Sequence, residues 1–203
     1  MKCRLLAISP GPPDKSWLSK LTQLLPLGDK LAFLFRDTES NAHSYFQHAR
    51  QLATLCHNAQ VAFFVHRRLD MALALGAHLH LPSYGFRPSQ VRPHLPPNQY
   101  LSVSVHNSEE ASQAQGADFA LVSPVFSPTS KALDLRPPLG PEGFLRLARL
   151  LPCPAWALGG LCPSRLPRLS KPAGAAVVSA LWQAENPLLT AQAMLEYWGE
   201  NPS

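Results

Sequence analysis

The chain has 203 residues, 46% of them hydrophobic, and a net charge of +5 at pH 7. This length and apolar content fit one mid-sized domain with a single core, so we expect one domain over residues 1–203. No apolar run reaches the roughly 18 residues of a membrane span, and the N-terminus lacks a signal-peptide pattern, so we expect a cytoplasmic protein without a membrane partner.

The excess of basic residues favours anionic ligands. Lysine and arginine do not cluster into a stripe with interleaved aromatic residues, so we expect phosphorylated small molecules and no nucleic acid as partners. The cysteines form no C-x-x-C pair, which argues against a zinc site or a redox motif. The sequence is silent on oligomeric state and leaves a homo-oligomer open.

Short apolar runs, punctuated by proline, predict eight strands in chain order, at residues 4–9, 31–36, 61–65, 79–81, 100–105, 119–126, 155–158 and 175–180. Segments with helical spacing alternate with them, at residues 16–26, 39–57, 68–76, 88–93, 108–115, 141–151, 163–170 and 187–198. Eight alternations, with strands apolar enough to be buried on both faces, predict an α/β fold of the (β/α)8 TIM-barrel type. An open doubly wound sheet is disfavoured because no G-x-G-x-x-G follows the first strand.

In such a barrel the chemistry lies just after the carboxyl ends of the strands. These positions are rich in residues that bind anions: Arg36, His66, Arg67, Arg68, Ser104, His106, Thr129, Ser130, Lys131, Gly159, Gly160, Val178 and Ser179. We predict a phosphate site between the loops after strands 7 and 8, because glycine lets a phosphate approach backbone N–H groups closely.

Four segments carry a family resemblance. "VHRRLDMALALGAHLHLPSYGFRPSQVR", "SVSVHNSEEASQAQGADFALVSPVFSPTSK", "PPLGPEGFLRLA" and "AWALGGL…GAAVVSAL" resemble the thiamine phosphate synthase superfamily, which includes the TenI-like thiazole tautomerases. The resemblance covers roughly residues 30–182. It implies a (β/α)8 barrel that acts on a phosphorylated thiazole or thiamine precursor.

The branch is predicted from departures from the synthase pattern. In the synthases, two acidic residues after strands 3 and 4 hold Mg²⁺ against a pyrimidine diphosphate. The matching positions here are in His66-Arg67-Arg68 and in the segment 80–85, and neither contains an acid. Arg67 would repel Mg²⁺. With the TenI-like phrase "HLPS.GF.P.Q.R", this predicts a metal-free thiazole tautomerase with no cofactor.

The resemblance also assigns roles. The TenI-like catalytic histidine after strand 6 is replaced by Pro124, so another base is needed, and His66, His80 and His106 are available. We predict that His66, His106 and Lys131 are catalytic and that no residue binds a metal. The predicted substrate and phosphate ligands are Arg36, Arg67, Arg68, Ser104, Thr129, Ser130, Gly159, Gly160, Val178 and Ser179.

Several structural readings compete with these roles. Arg68 is placed to pair with Asp70, and Lys131 lies in a long proline-bounded loop that is typical of substrate lids. His78 and His80 flank Leu79, and we expect one to face the barrel interior and the other the helices.

Two alternatives stay open at this point. The first is a divergent synthase that joins hydroxymethylpyrimidine diphosphate to thiazole phosphate, the one case in which Mg²⁺ is expected. The second is a non-catalytic protein that binds a thiazole or thiamine phosphate.

Overall fold

Eight parallel strands follow one another around a closed barrel, in which β8 pairs with β1. The computed structural model of the chain describes residues 2–127, 136–170 and 172–199. The strands are β1 (Leu5–Ile8), β2 (Leu31–Phe35), β3 (Ala62–His66), β4 (His78–Leu81), β5 (Leu101–Val105), β6 (Phe119–Val122), β7 (Ala155–Leu158) and β8 (Gly174–Val177). The predicted (β/α)8 barrel was confirmed. That one domain covers all of residues 1–203 stays a prediction.

Helices follow the strands and cover the outside of the barrel. They are α1 (Lys15–Leu24), α2 (Ala42–Asn58), α3 (Leu69–Leu75), α4 (Pro88–Val91), α5 (Ser108–Ser112), α6 (Gly140–Leu150), α7 (Ser179–Trp182) and α8 (Pro187–Leu195). Short 3-10 helices occupy Leu25–Lys30, Arg92–His94, Leu166–Arg168 and Glu196–Trp198. Within the described residues, no helix combines the length and the hydropathy needed to cross a membrane.

Several predicted elements were too long. The helix predicted at 163–170 is a single 3-10 turn at Leu166–Arg168, because Pro167 lies inside it and has no N–H to donate. Strand β6 stops at Val122, two residues before Pro124, for the same reason. Strand β8 stops at Val177, and the residues after it turn into helix α7.

The strands have two buried faces of different composition. On β2, Phe33 and Phe35 point outward into the core beneath the helices, while Ala32 and Leu34 point into the barrel. The interior is filled at its lower end by large apolar side chains, among them Phe64, Phe119, Leu121 and Trp156. Among the described residues this packing leaves no pore, so a ligand reaches the barrel axis only from the mouth.

Gly174, at the start of β8, is required by this interior packing. A Cβ atom added at Gly174 would overlap the indole ring of Trp156. Trp156 packs against Phe119 with 4.8 Å between ring centroids, so it has little room to move away.

We therefore expect Gly174→Ala to lower the free energy of unfolding by about 1–3 kcal/mol through overpacking. Urea denaturation measures the change. Gly11→Ala is the control, because a Cβ atom there meets nothing within 4 Å. Equal stability of the two variants would show that the barrel interior is looser than its geometry indicates.

Candidate functional site

A cavity of about 310 Å³ opens at the carboxyl ends of β1, β2, β6, β7 and β8. Its wall combines apolar side chains with backbone and a few polar groups. The lining residues are Ile8, Ser9, Pro10, Arg36, Ser123, Pro124, Leu158, Gly159, Gly160, Leu161, Ala176, Val177, Val178 and Ser179. Five of the predicted site residues therefore share one cavity: Arg36, Gly159, Gly160, Val178 and Ser179.

Both residues of the loop after β7 are glycines, because their backbone conformation disfavours other residues and neighbouring atoms leave no room for a Cβ atom. Gly159 and Gly160 have φ angles of +100° and +59°, which favour glycine. A Cβ atom at Gly159 would lie 2.8 Å from Cα of Pro124, and one at Gly160 would collide with the Ser127 carbonyl oxygen. The loop is thus pressed against the chain after β6, and its backbone is bare on the cavity side.

The cup formed by Gly159, Gly160, Val178 and Ser179 is braced from outside. The Arg165 guanidinium donates hydrogen bonds to the carbonyl oxygens of Gly160, at 2.9 Å, and Ser127, at 3.2 Å. These bonds tie the loop after β7 to the loop after β6. Such bracing preorganises the loop, which lowers the entropic cost of binding a ligand there.

Arg36, directly after β2, lines the same cavity as this cup. Ser9, the first residue after β1, holds its backbone: the Arg36 N–H donates to Ser9 Oγ at 2.8 Å, and the Ser9 hydroxyl donates to the Arg36 carbonyl oxygen at 3.2 Å. Sequence reasoning missed Ser9 and Pro10. Their place at the carboxyl end of the first predicted strand, where Ser9 is the last residue and Pro10 follows it, was a signal that could have found them.

Polar side chains form the interior wall on the other half of the barrel. His80 is fully enclosed, with Nδ1 2.8 Å from Ser102 Oγ and Nε2 3.0 Å from Ser104 Oγ. His66 stacks on His80 with 5.9 Å between ring centroids. Its Nδ1 is buried and has no hydrogen-bond partner among the described residues.

This wall is electrically neutral. Burial, followed by the charges of Arg36 and Arg67, lowers the pKa of His66 from 6.5 to about 4. Burial also lowers the pKa of His78 to about 4, against an opposing effect of Asp118. Burial, His66, Arg36 and His106 hold the pKa of His80 well below 6.5. At neutral pH these imidazoles can donate and accept hydrogen bonds but carry no charge.

His106, directly after β5, bonds to Ser123, a residue of the cavity lining. Its Nδ1 donates to the Ser123 carbonyl oxygen at 2.7 Å, and its backbone N–H donates to Glu110 Oε2 at 2.7 Å. Because a carbonyl oxygen only accepts, Nδ1 carries the proton in this bond.

The adjacent arginines after β3 behave differently from each other. Arg68 forms two hydrogen bonds to Asp70, at 3.1 and 2.8 Å, and lies over the Tyr45 ring. These contacts explain Arg68 as a structural residue. Arg67 is exposed, has a φ angle of +56°, and makes no ion pair with a described residue.

Some predicted residues do not join the cavity wall. His66, Arg67, Arg68, Ser104 and His106 belong to the β3–β5 side of the mouth and do not line the cavity. Thr129, Ser130 and Lys131 lie outside the described residues, so their predicted roles stay predictions.

The prediction for His78 and His80 was wrong. Both rings are inside the barrel: His78 packs against Phe64 and Tyr100, and His80 bonds to Ser102 and Ser104. Residues two apart on a strand share a face, so the intervening Leu79 is the one that points outward.

Comparisons with known proteins point to one family. The sequence profile described as thiamine monophosphate synthase matches residues 5–181. The chain is 32% identical over 171 residues to a thiamine-phosphate synthase of Syntrophomonas wolfei, covering 82% of this chain and 81% of that protein. It is 32% identical over 190 residues to one of Aromatoleum aromaticum, covering 90% of each.

Other relatives are longer than this chain. A Synechococcus thiamine-phosphate synthase is 34% identical over 156 residues, which are 74% of this chain but 43% of that protein. Among solved structures, a thiamine phosphate pyrophosphorylase from Pyrococcus furiosus superposes with a TM-score of 0.79 at 24% identity, covering 96% of this chain and 95% of that one. This likeness supports the fold.

The comparisons overturn the predicted TenI-like tautomerase. The curated relatives with 30% identity or more over most of the chain are named thiamine-phosphate synthase, which favours the alternative reading. The error came from weighting one local phrase and two missing acids above the resemblance of the whole chain.

The neutral histidines predict how stability depends on pH. In the unfolded chain the two histidines have a pKa near 6.5, whereas in the folded protein the pKa values of His66 and His78 are about 4. Between these values the unfolded state holds more protons, so stability falls as pH falls, by up to about 1.4 kcal/mol per pH unit for each histidine. Urea denaturation at pH 7, 6 and 5 measures this decline.

His66→Gln, which has no titrating ring, should show a shallower decline than the wild type over the same pH range. A free energy of unfolding that stays constant from pH 7 to pH 5 would mean that the interior histidines are not held neutral.

Proposed function

Because this chain belongs to the thiamine monophosphate synthase family, we propose that it joins hydroxymethylpyrimidine diphosphate to thiazole phosphate and releases thiamine phosphate and diphosphate. The observation that carries the proposal is the mouth cavity, whose lining brings together the cup of Gly159, Gly160, Val178 and Ser179 and the residue Arg36. Its volume of about 310 Å³ suits a small ligand. A cytoplasmic location remains part of this proposal.

The reaction makes modest demands on the protein. The thiazole ring nitrogen forms a bond to the methylene carbon of the pyrimidine, the bond from that carbon to the diphosphate oxygen breaks, and diphosphate leaves with the electron pair. The attacking nitrogen uses a lone pair and loses no proton, so no base is needed at the position of Pro124. Proline at that position is an obstacle to a tautomerase but not to this reaction.

The mouth of the barrel supports different roles for its two sides. We propose that the cup of Gly159, Gly160, Val178 and Ser179 holds the phosphate of the thiazole, because a glycine loop lets a phosphate approach the backbone closely. The wall that contains His66, Ser104 and His106 is then left for the pyrimidine, whose ring nitrogens and amino group match its hydrogen-bond donors and acceptors.

Incubation of the purified chain with both substrates tests the proposal. We expect thiamine phosphate, detected after oxidation to its fluorescent thiochrome, with either substrate alone as the blank. Absence of product both with and without Mg²⁺ would overturn the proposal. Thermal stabilisation by thiazole phosphate in that case would identify a non-catalytic binding protein.

Gly160→Ala should raise the KM for thiazole phosphate by about tenfold or more, with a smaller effect on the KM for the pyrimidine diphosphate, because the added Cβ displaces the cup. Gly76→Ala is the matched control: Gly76 has a similar φ of +62°, has nothing within 4 Å of an added Cβ, and lies at the opposite end of the barrel. Equal KM values for the two variants would contradict the placement of the thiazole phosphate.

A further inference from the structure

The donor set at the mouth does not fit the Mg²⁺ that the family resemblance implies. Magnesium binds through carboxylate and other oxygen ligands. Arg67 stands at one of the two matched acid positions, and the segment 80–85 contains no acid. Within the described ranges, no group of three or more His, Cys, Asp or Glu residues is arranged to hold a metal ion.

Asp37, after β2, is an acid close to the mouth, and it serves another purpose. Its Oδ1 accepts from the backbone N–H groups of Glu39, at 2.9 Å, and Ser40, at 3.0 Å. Burial raises the pKa of this carboxyl, but the Ser40 and Glu39 hydrogen bonds outweigh that effect and lower it. Its Oδ2 is buried, and the described residues supply no second carboxylate that would share a metal with it.

Two guanidinium groups occupy the region instead. Arg36 lines the cavity, and Arg67 follows the next strand, β3, whose Val65 pairs with Phe35 of β2. The positive charges of Arg36 and Arg67 both lower the pKa of the nearby His66 imidazole. Neither forms an ion pair with a carboxylate among the described residues. Two guanidinium groups that follow neighbouring strands at the mouth, one of them lining the cavity, are suited to bind a polyanion.

We infer that Arg36 and Arg67 hold the diphosphate group directly, so that this site binds its anionic substrate without a divalent cation. This inference rests on the proposed function for the identity of the substrate. The two guanidinium groups also remain beside the diphosphate as it leaves, and they neutralise the negative charge that develops on it.

The backbone of Arg67 supports a functional role. A φ of +56° costs free energy for any residue with a Cβ atom, and glycine would avoid that cost. The Arg67 N–H donates to the His80 carbonyl oxygen at 2.7 Å, a bond that any non-proline residue would make. Strained non-glycine residues are concentrated at functional sites, where the side chain is needed.

The first experiment is calorimetric titration of the full chain with inorganic pyrophosphate, once in EDTA and once in Mg²⁺. We expect binding in EDTA that Mg²⁺ does not strengthen. Arg67→Ala and Arg36→Ala should each weaken this binding by about tenfold or more, as expected for loss of a charge-assisted contact. Arg50→Ala, which removes an exposed arginine on helix α2, is the control and should bind like the wild type.

Two further variants separate binding from folding. Arg67→Gly should melt at the same temperature as the wild type or higher, because it relieves the strained backbone, and yet should bind pyrophosphate as weakly as Arg67→Ala. Arg67→Asp should lose binding in EDTA without gaining a dependence on Mg²⁺, because the second acid of the synthase pattern is also absent.

Binding of pyrophosphate that requires Mg²⁺, or full affinity in Arg67→Ala, would overturn the inference. Recovery of pyrophosphate binding in Arg67→Asp on addition of Mg²⁺ would also overturn it. These results are independent of turnover: thiamine phosphate formed only with Mg²⁺ would overturn the inference and leave the proposed function standing. Pyrophosphate binding without metal, together with no thiamine phosphate formed under any condition, would support the inference and overturn the proposed function.

Discussion

The pairing of β8 with β1 is the constraint on which the site depends. Leu5, Leu6 and Ala7 pair with Ala175, Ala176 and Val177, and this closes the sheet. Closure brings the loops that follow β7 and β8 beside the loops that follow β1 and β2. The glycine cup and Arg36 come from opposite ends of the sequence, and they share a cavity because the sheet has no edges.

A second constraint is the change in composition along each inward face. The lower interior is filled by side chains such as Phe64 and Trp156, while the upper interior carries His66, His80 and Ser104. The apolar layer excludes water from beneath the histidines, and this burial depresses their pKa values. The same packing that stabilises the barrel therefore keeps half of the mouth uncharged.

Against this neutral wall, the positive charge at the mouth comes from side chains on loops. Arg68 is engaged by Asp70, whereas Arg36 and Arg67 have no carboxylate partner among the described residues. In the synthase pattern the corresponding region pairs acids with a metal ion. Arg67, in place of an acid, inverts the sign of a local charge. The site keeps its ability to attract a diphosphate, which is the property that the proposed reaction needs.

The sequence by itself determined the order of strands and helices, the barrel and the family, because apolar runs separated by proline are a local signal repeated eight times. It also identified the cup, since Gly159 and Gly160 mark a backbone conformation that other residues avoid. Tertiary structure alone decided which candidates meet. Packing revealed Ser9, and burial made His66 neutral. Both depend on neighbours distant in the chain, whose positions no local pattern records.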